Sequence, residues 1–76
     1  MDLQQFESAV RLDPYNADAW LSLAKAQADV HRTDDAISSA QKALDIARSR
    51  NRSDLIGTIE AWLRSRRATK SGPSDR

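Results

Sequence analysis

Residues 17–50 read ADAWLSLAKAQADVHRTDDAISSAQKALDIARSR, and this stretch decides the fold. Its apolar side chains recur three or four positions apart in two groups, which is the spacing of one face of a helix. The polar residues His31, Arg32 and Thr33 separate the groups. The first stripe comprises the apolar residues Trp20, Leu23, Ala24 and Val30 together with the polar Gln27, and the second comprises Ala36, Ile37, Ala40, Ala43, Leu44 and Ile46. The pattern predicts two helices joined by a tight turn.

A shorter helix is predicted before this pair. Leu3, Phe6, Ala9 and Val10 follow one helical face, and Leu12 lies at its end. Pro14 stops this helix, because proline disfavours helical geometry in the residue before it.

Capping residues set the expected helix boundaries. Side chains that accept hydrogen bonds from free backbone N–H groups are expected at Asn16, Thr33 and Ser53, which predicts three N-caps. The turn at 31–32 should hold a residue with positive φ, and Asn51 is a plausible left-handed stop after a third helix that ends near Ser49.

A fourth helix is predicted from residue 54 to about residue 67. Its apolar stripe comprises Leu55, Ile56, Ile59, Trp62 and Leu63. Residues 68–76 have nothing to bury and are expected to be disordered. No run alternates with period two for long enough to predict a strand, so the predicted fold class is all-α.

The helices also predict an internal repeat. A shift of 34 residues places Leu3 on Ile37, Ala9 on Ala43, Val10 on Leu44 and Leu12 on Ile46. These four matches reproduce a whole helical face, so the first and third helices look like copies. A period of 34 residues with two helices per repeat is the tetratricopeptide spacing.

The chain resembles the tetratricopeptide repeat (TPR) family over residues 3–63. The residues that carry the resemblance are Trp20, Leu23, Ala24, Ala36, Ala40, Ala43 and Leu44, with Asp13-Pro14 similar to the close of a preceding repeat. Gln27, His31 and Arg48 depart from the family pattern. The resemblance implies a right-handed stack of four antiparallel helices, with a half repeat at 2–14, a full repeat at 17–50 and a capping helix at 53–67.

The half repeat leaves one edge of the predicted stack open. Either the chain is the C-terminal piece of a longer array, which is the favoured interpretation, or another chain covers the edge, since arrays usually contain at least three repeats. Leu3, Phe6 and Val10 are expected to be exposed there, and exposed apolar patches promote association. The sequence therefore predicts weak self-association at high concentration.

Composition and motifs argue against several function classes. The 76 residues contain no cysteine, no signal peptide and no apolar run that could cross a membrane, so a reducing setting, cytoplasmic or nuclear, is the default, and a cytoplasmic location is predicted. We interpret His31 as a turn residue. Asp34 and Asp35 are interpreted as carboxylates that complement the helix dipole at the start of the third helix. We therefore expect no catalytic group, no metal site and no cofactor.

Protein binding is the leading functional hypothesis. In the TPR family the first helix of each repeat lines a concave face that holds a peptide or a partner helix. The resemblance places Asp18, Leu21, Ser22, Lys25, Asp29, Arg52 and Leu55 on that face, with Ile59 an alternative to the last two. Asp18 and Ser22 stand where a clamp for chaperone tails needs Lys or Asn, so such a clamp is disfavoured.

The charge distribution supports an alternative hypothesis. Residues 1–47 carry a net charge of −4 and residues 48–76 carry +5. Arg64, Arg66, Arg67 and Lys70 could dock an acidic partner or nucleic acid. Nucleic acid is disfavoured, because neither an aromatic platform nor a groove-reading helix accompanies the cations. Cations near a helix C-terminus are also what the helix dipole favours, so a solvated helix end is the favoured interpretation of these residues.

Overall fold

The computed structural model describes residues 3–71, and the side chains of residues 3–66. It contains four α-helices and no strand within those residues, which confirms the all-α prediction. The helices are α1 (Leu3–Leu12), α2 (Ala17–Asp29), α3 (Thr33–Ser49) and α4 (Ser53–Ser71). The helix α2 contacts each of the other three, and its contact with α3 is the most extensive.

Local hydrogen bonds explain how α2 and α3 end. The backbone N–H of Arg32 donates to the carbonyl of Gln27 at 2.8 Å, and that of Arg52 donates to Ala47 at 2.9 Å. These bonds span five residues and require a left-handed residue just before the donor. His31 (φ 65°) and Asn51 (φ 57°) adopt that geometry, as predicted.

One predicted N-cap is confirmed and two are wrong. The Asn16 side chain accepts a hydrogen bond from the Ala19 backbone N–H at 3.1 Å, so it caps α2. The N-cap of α3 is Arg32, which makes no capping bond through its side chain, and Thr33 is the first helical residue. Likewise α4 begins at Ser53 itself, because the Ile56 N–H already donates to the Arg52 carbonyl at 2.9 Å.

The helix α4 is longer than the sequence pattern predicted. It continues to Ser71, so residues 68–71 belong to the helix and not to a disordered tail. These residues disfavour a helix only weakly, whereas Gly72 and Pro73 are the first strong helix breakers in this region. The rest of the predicted tail, residues 72–76, lies outside the described residues.

The core is built largely from small side chains. Ala24, Ala36, Ala40, Ala43 and Ala47 have no exposed surface. Larger side chains from α2, α3 and α4 complete the main cluster, namely Leu21, Leu44, Ile46, Ile59 and Leu63. Because alanine projects only one carbon, helices that meet at alanines can approach closely, as the tight core requires.

Trp20 packs at the edge of this core. Its ring is partly exposed, and its Nε1–H donates to the Pro14 carbonyl at 2.8 Å. This bond ties the start of α2 to the turn that follows α1. The indole is therefore a link between neighbouring elements as well as an apolar contact.

A buried polar pair joins α2 to α3. Ser39 donates its hydroxyl hydrogen to Oε1 of Gln27 at 2.6 Å, and both side chains are buried. The pair satisfies two groups that would otherwise be costly to bury. The sequence placed Gln27 on the inward stripe, but its partner Ser39 was not predicted.

Two residues of the predicted stripes are exposed. Val30 is 52% exposed, because α2 ends at Asp29 and Val30 forms its C-cap outside the regular stripe. Leu12 is 87% exposed at the last position of α1. Side chains at helix ends have fewer neighbours, so periodicity overestimates their burial.

Ile59 should be among the most sensitive positions of the core. Among residues 3–66 it is the largest side chain with essentially no exposure, whereas Ile56 on the same helix is only partly buried. We expect Ile59→Ala to lower the free energy of unfolding by about 2–5 kcal/mol, through lost burial and the cavity left behind. Ile56→Ala should cost clearly less, as measured by urea denaturation.

Equal losses for the two alanine variants would contradict the assigned packing of α4. If Ile59→Ala does not fold, the milder pair Ile59→Val and Ile56→Val provides the same comparison, with about 0.5–1.5 kcal/mol expected for the buried site.

Candidate partner-binding surface

A cleft of about 180 Å³ lies between α1 and α2, and we call it the α1–α2 cleft. Its lining residues are Phe6 from α1 and Ser22, Lys25, Ala26 and Asp29 from α2. The four α2 positions are spaced at i, i+3, i+4 and i+7, so they share one face over two turns of helix. The cleft is thus a direct product of helix periodicity and of the way α1 packs on α2.

The α1–α2 cleft combines an apolar floor with charged edges. Phe6 and Ala26 are partly buried, while Lys25 and Asp29 are exposed. The two charges lie four residues apart and have opposite sign. A surface of this kind can bury an apolar side chain of a partner while charged groups at the rim select its orientation.

Three of the seven predicted partner-binding residues meet in this cleft: Ser22, Lys25 and Asp29. Asp18 is exposed on α2, one turn before Ser22, but it does not line the cleft. Ala26 was missed, and Phe6 was predicted only as part of an association surface. Helical spacing shows that the α2 residues share one face, whereas the position of Phe6 beside them depends on how α1 packs on α2.

Leu21 is not available on an exposed face, so that prediction is wrong. Its side chain is only 6% exposed and belongs to the main core cluster. The same cluster contains side chains of α3 and α4, so Leu21 lies among core residues from three helices. Leu21 therefore stabilises the stack.

Arg52 and Leu55 are not brought to the α1–α2 cleft. Leu55 is partly buried and packs against the core. Arg52 is exposed and pairs with Asp54, with 3.4 Å between Nε and Oδ1. The predicted set is therefore divided between two regions of the molecule.

Only two of the three residues predicted to form the association surface remain accessible in the structure. Val10 is buried, with 7% exposure, so it is not part of an open edge. It lines a second groove of about 460 Å³ together with Trp20, Leu23 and Gln27 of α2. Leu3 and Phe6 are partly exposed and remain at the open side of α1.

The groups considered for catalysis lie apart from the cleft. His31 is exposed in the turn after α2, and Asp34 and Asp35 are exposed in the first turn of α3. Within residues 3–71, no group of three or more His, Cys, Asp or Glu is placed to hold a metal ion. None of the helices described is long and apolar enough to cross a membrane.

The basic C-terminal residues do not form one described surface. Arg64 is exposed, while the guanidinium of Arg66 lies over the Trp62 ring, 5.1 Å from its centroid. This is a cation–π contact that holds Arg66 against its own helix. The side chains of Arg67 and Lys70 lie outside the described residues.

Comparison with known proteins identifies no relative. No protein-family model, no curated protein and no solved structure matches the chain. The similarity to the TPR family therefore depends on the residues quoted from the sequence, and function must be argued from the surface itself.

The Arg52–Asp54 pair yields a titration test. The hydrogen bond from Arg52 lowers the pKa of the Asp54 carboxyl, and a backbone hydrogen bond from Leu55 lowers it further. We expect Arg52→Ala to raise this pKa, although not to its ordinary value because the Leu55 N–H remains. Carbon-detected NMR titration of the Asp54 carboxyl measures the change, and Arg50→Ala removes a nearby charge as control.

The lowered pKa of Asp54 determines how this ion pair changes the free energy of unfolding with pH. The pair stabilises the fold above the pKa of Asp54 in the unfolded chain, and this contribution is lost as the pH falls through the lower folded pKa. Arg52→Ala should therefore make the free energy of unfolding less sensitive to a fall in pH over this range. An unchanged Asp54 pKa in this variant would contradict the assigned pairing.

Proposed function

We propose that this protein is a non-catalytic interaction module that binds an amphipathic helix of a partner protein in the α1–α2 cleft. The observation that carries the proposal is the cleft itself, where Phe6 and Ala26 form an apolar floor between charged residues. This proposal keeps the predicted scaffold function of TPR type and narrows its site to one side of α2.

A helical partner fits better than an extended one. The walls of the cleft are helices, whose backbone N–H and C=O groups are already paired within each helix. An extended peptide would find no backbone ladder there to satisfy its own polar groups. A helix satisfies its backbone internally and needs only side-chain contacts, as in other helix-in-groove complexes.

The charges at the rim suggest how the partner helix is oriented. Lys25 and Asp29 lie on one face of α2, one turn apart. A partner with an acidic residue opposite Lys25 and a basic residue opposite Asp29 would form two favourable pairs. The reverse arrangement would place like charges together, which disfavours it.

Ala26→Arg should block this binding. The substitution places a long, charged side chain in the cleft at a position that otherwise forms part of its apolar floor. A displayed library of amphipathic helical peptides, selected against the unmodified protein, supplies the probes. We expect Ala26→Arg to weaken the selected peptides at least tenfold in fluorescence anisotropy, which corresponds to about 1.4 kcal/mol.

The matched control is Ala61→Arg, which introduces the same side chain at an exposed alanine of α4 outside the cleft. Circular dichroism establishes that both variants keep their helices. Peptides that bind both variants equally well, or a selection that enriches no amphipathic helix, would contradict the proposal. A concentration-dependent dimer that excludes the peptides would instead identify a second copy as the occupant.

A further inference from the structure

The groove of about 460 Å³ that Val10 lines is a second concave surface of the molecule, and we call it the Trp20 groove. The helices α1, α2 and α3 and the turn after α1 all contribute to it. Its volume lies within the range of about 300–1,000 Å³ that is typical of ligand sites. None of its lining residues belongs to the α1–α2 cleft, so binding there is independent of the proposed function.

Trp20 and Pro14 provide the apolar surface that a ligand can reach in the Trp20 groove. The Trp20 side chain is partly exposed, and Pro14 is exposed. Val10 and Leu23 also line the groove, but with 7% and 4% exposure they belong to the core beneath it. The indole Nε1–H is already bonded to the Pro14 carbonyl, so the ring and not its N–H group is available to a ligand.

The Trp20 groove also contains a hydrogen-bond donor that has no partner in the described part of the chain. The Gln27 side chain is 8% exposed, and the one hydrogen bond that it makes there is the bond that Oε1 accepts from Ser39. Its Nε2 group is therefore unpaired. Among residues 3–66, Nε of Arg66 is the one unpaired side-chain atom that is sealed from solvent, so Nε2 of Gln27 reaches the surface. A donor this nearly buried needs an acceptor from outside the chain.

Ser39 fixes the direction of the Gln27 amide. Its hydroxyl donates to Oε1 at 2.6 Å, and Ser39 itself is 5% exposed. Because Oε1 and Nε2 branch from the same planar carbon, a bond that holds Oε1 toward Ser39 turns Nε2 away from it. Ser39 is thus a positioning residue, and Gln27 presents a donor of fixed direction.

We propose that the Trp20 groove binds an extended, proline-containing segment of a partner protein. A proline ring of the segment packs on the Trp20 ring, and a backbone carbonyl of the segment accepts a hydrogen bond from Nε2 of Gln27. The molecule already contains one contact of this kind, since the carbonyl of Pro14 lies 2.8 Å from the indole nitrogen of Trp20. Grooves lined by aromatic side chains bind proline-rich segments in several classes of domain.

The chemistry of the groove favours such a segment over other ligands. A helix has its carbonyls paired internally and offers no acceptor to Gln27. Glu7 and Arg11 line the groove with opposite charges, so nothing there selects the phosphates of nucleic acid or of an anionic lipid. A proline-rich segment has free carbonyls and few N–H groups, and its backbone is already extended before it binds. It therefore needs a donor and an apolar ring, which are the two things that the groove provides.

The experiment titrates the full chain with Ac-Pro-Pro-Ala-Pro-Pro-NH2 and follows the side-chain NH2 signals of Gln27 and the indole N–H signal of Trp20 by NMR. The peptide Ac-Ala-Ala-Ala-Ala-Ala-NH2, which keeps the carbonyls and lacks the rings, and single-stranded DNA form the other arms. We expect saturable shifts of both residues with the proline peptide. Neither of the other ligands should produce them.

A double variant tests the role of the unpaired donor. Gln27→Met with Ser39→Ala removes the donor and its positioning residue together, so that neither is left as an unpaired buried group. We expect it to weaken binding of the proline peptide about threefold to tenfold, the effect of losing one hydrogen bond. The matched control, Gln41→Met with Ser38→Ala, makes the same changes on α3 outside the groove and should bind the peptide unchanged.

Several results would overturn the proposal. These are equal binding of the alanine peptide, shifts of Gln27 and Trp20 with DNA, or no shift of Gln27 at millimolar proline peptide. Binding to the double variant as tight as to the unmodified chain would also overturn it. Circular dichroism establishes that the variants are folded, and the Gln27 signals of the unmodified chain test the contact without any substitution.

Discussion

The close approach of α2 and α3 is the constraint on which the other features depend. Ala24 on α2 and Ala40 and Ala43 on α3 have no exposed surface, and all three belong to one core cluster. Small side chains let two helices lie near each other, so that larger neighbours such as Leu21 and Leu44 close around them. The left-handed residue His31 supplies the tight turn that this approach needs, at a backbone cost of about 1 kcal/mol.

The position of α2 follows from this packing and explains why an open cleft remains beside it. The helix α2 packs most extensively against α3, less against α1 and least against α4. The short helix α1 covers only part of its side, and Phe6 and Ala26 therefore line an open cleft. A second cleft, between α3 and α4, has a similar origin, because Leu44 and Leu63 complete the core while longer side chains such as Arg48 and Arg64 reach outward.

Periodicity and capping predicted most of the fold from sequence. The four helices, the cap at Asn16 and the left-handed residues His31 and Asn51 all follow from local chemistry that acts within a few residues. The end of α4 was predicted too early, because an apolar stripe shows which residues are buried and not where the hydrogen-bonded helix ends. Thr33 was misassigned because a residue that often caps can equally well occupy the first helical turn.

The candidate site was less predictable, because it depends on contacts between distant segments. The TPR resemblance predicted Ser22, Lys25 and Asp29 on one face of α2, and all three line the α1–α2 cleft. Leu21 is buried in a cluster that also contains side chains of α3 and α4, and no local pattern encodes such packing between helices. The approach of Arg48 to Glu60 likewise joins residues from two helices, so their shared cleft could not be read from sequence alone.

Substitution of one core alanine tests the central role of the α2–α3 contact most directly. Ala24→Leu adds three carbons where no surface is exposed, whereas Ala61→Leu adds them at an exposed position of α4. Urea denaturation of both variants measures the free energy of unfolding. We predict a loss of about 1–3 kcal/mol for Ala24→Leu and a change within about 0.5 kcal/mol for Ala61→Leu. An Ala24→Leu protein as stable as the unmodified chain would contradict the central role of this contact.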